Sequence, residues 1–236
     1  MIQVEGIFSG GGSDISAPII GKDFNWTGGD GTYQVLEDGG GNWRIKFLSS
    51  GTFTPLRDMV IDVFLVGGGG GKAKNYSGSG GAGYTTTVRS IALAANTTYE
   101  ITVGAAGSNS FTGNGISGGT TSAFSAIAAG GNGSALGSSS TKKPGGDGGS
   151  GGAGYSSRGS ALGGTDGSDG EAGSSAGGKG QGTTTREFGE TDGDLYASGG
   201  GGNLTATVPN SGNGGAEDIP PAEGIVIIRK HKEAAA

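Results

Sequence analysis

Hydrophobic and polar positions alternate with a period of two in Asn42-Trp43-Arg44-Ile45-Lys46-Phe47-Leu48, placing Trp43, Ile45 and Phe47 on one face and Arg44 and Lys46 on the other. That is the pattern of a half-buried strand. Further strands are expected at residues 2–8, 33–37 and 59–66, divided by turn-rich stretches such as Thr27-Gly28-Gly29-Asp30-Gly31 and Asp38-Gly39-Gly40-Gly41-Asn42. Residues 84–93 and 98–103, rich in Thr, Val and Ile, read as a hairpin around Ala95-Asn96. A weaker pair is expected at 120–124 and 127–129. The last apolar run, Gly224-Ile225-Val226-Ile227-Ile228-Arg229-Lys230, predicts a central strand that returns to the sheet system begun near the N-terminus.

Between these runs the alternation gives way to glycine, at 58 of 236 positions. Glycine costs up to about 1 kcal/mol per helical position relative to alanine, so almost no α-helix is expected. From 144 to 215 the period changes to three: Gly145-Gly146-Asp147-Gly148-Gly149-Ser150-Gly151-Gly152-Ala153 is a run of Gly-Gly-X triplets, and Gly164, Gly167, Gly170 and Gly173 continue it. Three residues per turn matches the polyproline II helix, which has no internal hydrogen bonds. Such helices can pack side by side and pair their N–H and C=O groups where the contact faces lack side chains. Collagen is a poor match, with 6 prolines in all and frequent interruptions. A flexible low-complexity insert remains the alternative to a folded polyglycine II bundle.

The formal charge of -6, from 15 basic and 21 acidic residues, disfavours non-specific nucleic-acid binding, which needs clustered cations. There is no cysteine, which excludes disulfides, thiolate metal sites and thiol nucleophiles. Met1-Ile2-Gln3-Val4-Glu5-Gly6 lacks the basic and apolar regions of a secretory leader, and no stretch approaches the roughly 18 apolar residues of a membrane span. Synthesis in the cytoplasm and no membrane insertion are the expectations.

Several residue groups invite chemistry. Gly67 to Lys72 follows a strand as a phosphate loop does, but the motif lysine would put the first glycine at Val66 and the Ser/Thr at Ala73. Gly68, Gly70 and Ala73 match a dinucleotide fingerprint in letters, yet no helix is expected in Lys74-Asn75-Tyr76-Ser77-Gly78. Glu187, Glu190, Asp192 and Asp194, like Asp166, Asp169 and Glu171, follow neither calcium-loop spacing and read as solvated acidic loops. The only histidine, His231, lies near an end expected to fray, so no His-dependent triad is foreseen. Tyr76, Phe111, Tyr155, Arg158, Phe188 and Tyr196 punctuate the glycine blocks as candidates for exposed loops, with Phe111 and Phe188 the more readily taken as packing against the core.

Three stretches carry a resemblance: Val63-Phe64-Leu65-Val66 running into glycine, Gly80-Gly81-Ala82-Gly83-Tyr84-Thr85-Thr86-Thr87-Val88, and Asn96-Thr97-Thr98-Tyr99-Glu100-Ile101-Thr102-Val103-Gly104. With the closing Gly224-Ile225-Val226-Ile227-Ile228-Arg229, they resemble the glycine-rich domains of phage and prophage tail proteins over about residues 59–230. The arrangement is also similar to the glycine-rich, TNF-like extracellular region of the anaplastic lymphoma kinase receptors, whose cysteines this chain lacks. The resemblance implies an all-β antiparallel sandwich, TNF-like or jelly-roll, with an inserted polyglycine II bundle. The expected division is an N-terminal β region at 1–58, a glycine-rich domain at 59–230 and a frayed tail at 231–236.

The implied function is a non-enzymatic phage tail adhesin or tail-tip protein, located in the virion tail and released by lysis, assembled as a homotrimer beside other tail proteins. Loops 155–160 and 183–196 are its expected contacts with a bacterial surface glycan or protein, through Tyr155, Arg158, Glu187, Asp192 and Tyr196. No cofactor, metal or nucleic acid is expected. A purely structural tail or baseplate component is the alternative.

Overall fold

A computed structural model describes residues 17–138, 140–155, 170, 185–201 and 207–232. Ten strands are formed among the described residues: β1 (Phe24–Trp26), β2 (Tyr33–Gly39), β3 (Asn42–Phe47), β4 (Gly51–Pro55), β5 (Met59–Val66), β6 (Thr85–Leu93), β7 (Tyr99–Thr102), β8 (Thr121–Ala123), β9 (Ala126–Ala128) and β10 (Ile225–Lys230). One sheet has the order β1-β4-β7-β8-β9 and the other β2-β3-β10-β5-β6, all pairs antiparallel. The protein is thus nearly all β, a sandwich of two antiparallel sheets, and its one helical element is a short 3-10 turn at Glu187–Gly189 among the described residues.

Side-chain alternation explains the layers. Trp43, Ile45 and Phe47 of β3, Ile61, Val63 and Leu65 of β5, and Val226 and Ile228 of β10 point between the sheets, where they meet Phe24, Phe53 and Ile101. The intervening residues of β5 and β10, Phe64, Val66, Ile225 and Ile227, face outward yet are also buried, under a layer that includes Phe188, Tyr196 and Ala197. β10 lies between β3 and β5, the central position its apolar run predicts. Strands from both sides of residue 58 share each sheet, with those before it forming one edge of the sheet and those after it the other.

The topology corrects one expectation. β6 and β7 do not pair: β6 joins β5, β7 joins β4 and β8, and the link through Ala95-Asn96 crosses from one sheet to the other. Asn96 sits at φ 60, and its N–H bonds to the carbonyl of Pro55 rather than across a hairpin. β8 and β9 form the expected pair. β1 and β4 were not foreseen, and the strand expected at 2–8 lies outside the described residues.

The glycine segments carry no strand or helix yet are tightly bonded. Leaving β5, residues 67–71 send successive N–H groups in different directions: Gly67 and Gly70 to the carbonyls of Tyr84 and Gly81, Gly68 and Gly71 to those of Gly119 and Ile116, and Gly69 to that of Ala222. Residues three apart therefore bond to the same neighbouring segment. The carbonyls of Gly68 and Gly71 accept from Gly131 and Ser134 with the same step, and those of Gly69 and Gly70 accept from Gly107 and Gly215. This lateral bonding satisfies backbone groups that are buried from water. A Cβ on any of Gly67 to Gly71 would run into the backbone carbonyl of Ala129, Ala105, Asn213, Asn132 or Ser108 respectively, so side chains are excluded by close approach. Of the expected period-three region, residues 156–169, 171–184 and 202–206 lie outside the described residues.

Candidate functional site

Two groupings of polar and aromatic side chains stand out. The first is made where residues 185–196 cross the outer face of the second sheet. The loop closes on itself, with the Tyr196 N–H bonded to the Thr185 carbonyl and the Glu187 N–H to the Asp194 carbonyl. Because β3 alternates, Arg44 and Lys46 both face this loop. Arg44 Nη1 donates to Glu187 Oε1 at 2.6 Å, and Lys46 Nζ donates to the Tyr196 hydroxyl at 3.0 Å and lies 3.6 Å from Glu187 Oε2. Burial disfavours the Lys46 charge, but Tyr196, Glu187 and Asp194 outweigh it and raise its pKa. Burial likewise raises the Tyr196 phenol, so both protons stay in place near neutral pH.

Beside that contact, Asp62 is fully buried at the centre of a cationic ring. Its carboxylate accepts from Arg229 Nε at 3.1 Å, from His231 Nδ1 at 2.6 Å and from the Ser90 N–H at 3.1 Å, and pairs with Arg89 Nη1 at 3.4 Å. Burial alone would raise its pKa, but the bonds from His231, Ser90 and Arg229 hold it below the ordinary carboxylate range. Arg229 also donates to Glu190 Oε1 at 2.6 Å and lies 4.1 Å from the centre of the Phe188 ring, while Arg89 Nη2 donates to the Phe188 carbonyl. Phe188 holds φ 54, a left-handed backbone that this surrounding ring over-determines. The grouping fastens residues 185–196 to the sheet.

The second grouping lies at the end of the glycine segments away from β5, where loops 72–77, 108–114 and 140–143 meet. Ala73 bridges to Ser110 and Ser77 to Lys143. Phe111 is 67% exposed with Lys74 Nζ 4.4 Å from its ring centre. The rings of Tyr76 and Tyr155 meet edge to face at 5.7 Å, and Lys142 Nζ lies 6.0 Å from the Tyr155 ring.

The structure therefore separates the residues singled out from sequence. Tyr155 belongs to the end loops and Asp192 is exposed on the 185–196 loop, whereas Arg158 lies outside the described residues. Glu187 is 2% exposed and Tyr196 8%, and both are bonded to β3 through Arg44 and Lys46. The acidic run expected to be solvated thus splits: Asp194 is 70% exposed, while Glu187 is an interior ion-pair partner. His231, expected at a fraying end, is bonded to Asp62 and to the Val60 carbonyl. Phe111 was expected to pack and is exposed; Phe188 packs against Phe64 as expected. Sequence reasoning missed the roles of Asp62 and Arg229, although period-two placement puts both on the outward faces of β5 and β10. The phosphate-loop resemblance at residues 67–72 finds its N–H groups already committed to neighbouring segments.

Among the described residues no group of three or more His, Cys, Asp or Glu side chains is arranged to hold a metal ion, and no helix is long and apolar enough to cross a membrane. A search of curated proteins finds no match. A family model for a glycine-rich domain matches residues 47–229, which takes in seven of the ten strands from β4 onward and every glycine segment described above; the chain belongs to this glycine-rich domain family.

Proposed function

We propose that the chain is a non-enzymatic adhesin or tail-tip protein of a bacteriophage, recognising the bacterial host surface through loops held on a glycine-rich scaffold. The observation that carries this reading is the gathering of Tyr76, Phe111 and Tyr155 with Lys74 and Lys142 in loops at one end of the glycine segments. Segments whose contacts exclude side chains form a rigid support, while the loops between them are free to vary. Rigid aromatic rings with adaptable polar neighbours suit a surface glycan or protein. The three-residue step of lateral hydrogen bonds supports reading these segments as polyglycine II helices.

A non-enzymatic role is favoured by the way the titratable groups are used. The Asp62 carboxylate that holds His231 is also committed to Arg229 and Arg89. In this reading the protein is placed in the virion tail, exposed after lysis, as a homotrimer beside other tail proteins. It needs no cofactor, and its net acidity argues against a nucleic-acid partner. Tyr155, Arg158 and Asp192 act as surface contacts, and Glu187 and Tyr196 act from behind as positioning residues.

The test is adsorption of the purified full chain to host cells, with loops 108–114 and 138–143 replaced together by glycine-serine segments of equal length. Loss of adsorption with an unchanged thermal melt is the expected result. Adsorption that survives the exchange removes the end loops from the proposal. A native chain that adsorbs to no cell bearing the phage receptor favours a purely structural tail or baseplate part.

A further inference from the structure

The loops that meet at the far end of the glycine segments carry a charge opposite to that of the chain. Residues 72–77, 108–114 and 140–143 contain Lys72, Lys74, Lys142 and Lys143 and no Asp or Glu, in a protein whose net charge is -6. Backbone bridges from Ala73 to Ser110 and from Ser77 to Lys143 hold the three loops side by side, so the cations are gathered at one end. Lys72 is taken up by Glu217 at 3.2 Å, whereas Lys74 and Lys143 pair with no carboxylate among the described residues. Aromatic rings stand beside the charges. Lys74 Nζ lies 4.4 Å from the centre of the exposed Phe111 ring, and Lys142 Nζ lies 6.0 Å from that of Tyr155, which meets Tyr76 edge to face. Asn75 and Tyr76 hold left-handed backbone in succession, at φ 63 and 51. For a side chain as bulky as tyrosine that is a strained conformation, of the kind that concentrates where ligands are held.

We infer that this end of the molecule binds an acidic polysaccharide of the host surface, its carboxylate or phosphate groups against Lys74, Lys142 and Lys143 and its sugar rings against Phe111, Tyr76 and Tyr155. A protein of net negative charge repels polyanions as a whole, so only a local excess of cations can hold one, acting within the screening length of about 10 Å. The electron-rich face of an aromatic ring packs on the slightly positive C–H face of a sugar. A ring beside a lysine, repeated at Phe111 and at Tyr155, matches a polymer that presents a ring and an anion in each repeating unit. The cavity beside Phe111 measures about 50 Å³, too little for a sugar ring, so the ligand lies across the loops and does not enter them. Exposed ion pairs are individually weak, and a polymer gains affinity by engaging several at once. This ligand class deepens the host-recognition reading and rests on it only for its biological meaning.

Binding of the full chain to immobilised polymers tests it, with polygalacturonate and phosphomannan as the carboxylate and phosphate probes and neutral dextran and duplex DNA as controls. At least one acidic polysaccharide is expected to bind and neither control to do so; which of the two binds separates a carboxylate ligand from a phosphate one. Raising salt from about 0.1 M to about 1 M shortens the screening length from about 10 Å to about 3 Å and is expected to weaken binding by about tenfold. Lys74→Gln and Lys143→Gln are each expected to weaken it by about twofold to fivefold, and Phe111→Ala by about as much, with no change in melting temperature. Lys22→Gln, an exposed cation on the turn before β1, is expected to leave binding unchanged. The site is overturned if neither acidic polysaccharide binds, if dextran or DNA binds as well as they do, or if the Lys74 and Lys143 variants bind undiminished. Whole-cell adsorption, measured separately, keeps the two readings apart. Adsorption that the lysine variants retain and acidic polysaccharides do not compete away removes this ligand and leaves the adhesin; polysaccharide binding without adsorption leaves the ligand and removes the adhesin.

Discussion

Asp62 is fully buried and bonded or paired to Arg229, Arg89, His231 and the Ser90 N–H, so its charge is a structural requirement. Removing one partner of a buried ion pair costs about 3–5 kcal/mol, because the remaining charges lose their counterpart. Asp62→Asn is expected to lower stability by that amount in urea titration. The carboxyl is held below its ordinary range in the folded protein, so its contribution is complete above the unfolded value of about 4 and is lost as pH falls through the lower folded value. The native protein should therefore lose stability on acidification below about pH 4, and Asp62→Asn should flatten that limb. An unchanged acid limb in the variant would show that other carboxylates set it. At Gly69 the constraint is space: a Cβ would collide with the Asn213 carbonyl, so Gly69→Ala should cost at least about 3 kcal/mol. Gly113→Ala, whose Cβ would meet nothing nearer than Ser110 Oγ at 3.6 Å, should stay within about 0.5 kcal/mol in the same titration.

Among the elements, β10 is wanted on both faces, with Val226 and Ile228 in the central core and Ile225 and Ile227 under the 185–196 loop. Ile228→Ala should destabilise by about 2–5 kcal/mol in urea denaturation, as full burial of an isoleucine implies. Phe188→Ala removes the ring that packs on Phe64 and carries the Arg229 guanidinium, and should expose residues 186–195 to limited proteolysis long before the sandwich unfolds. Simultaneous loss of loop and core would mean that the two are one cooperative unit. These strands were readable in the sequence because β3 alternates, β5 carries the apolar run Val63 to Val66 and β10 the run Ile225 to Ile228, which are local signals. β1 and β4 were not, being a three-residue strand and a strand that ends in Pro55. The pairing of β6 was misread because a turn at Ala95-Asn96 looks the same whether the chain folds back in one sheet or crosses to the next. The candidate site was the least readable part: Glu187 is buried by Arg44, 143 residues away, and no local pattern records such a partner.

For the molecule as a whole, the sandwich and the glycine segments make one continuous body, since β5 runs directly into residues 67–71 and residues 222–224 lead into β10. Far-UV circular dichroism should show little helix and one cooperative melt, and sedimentation should give three chains per particle if the proposed homotrimer holds. A monomer would remove the trimer while leaving the fold intact. The order of the lateral bonds has a temporal meaning as well. Gly69, near the start of the first glycine segment, bonds to Ala222, and the central strand of the second sheet begins at residue 225. Contacts so far apart along the chain are slow to form and cannot be assembled as synthesis proceeds. A ribosome must release the chain through residue 230 before its middle can close, so fragments ending short of residue 230 should remain open and protease-sensitive.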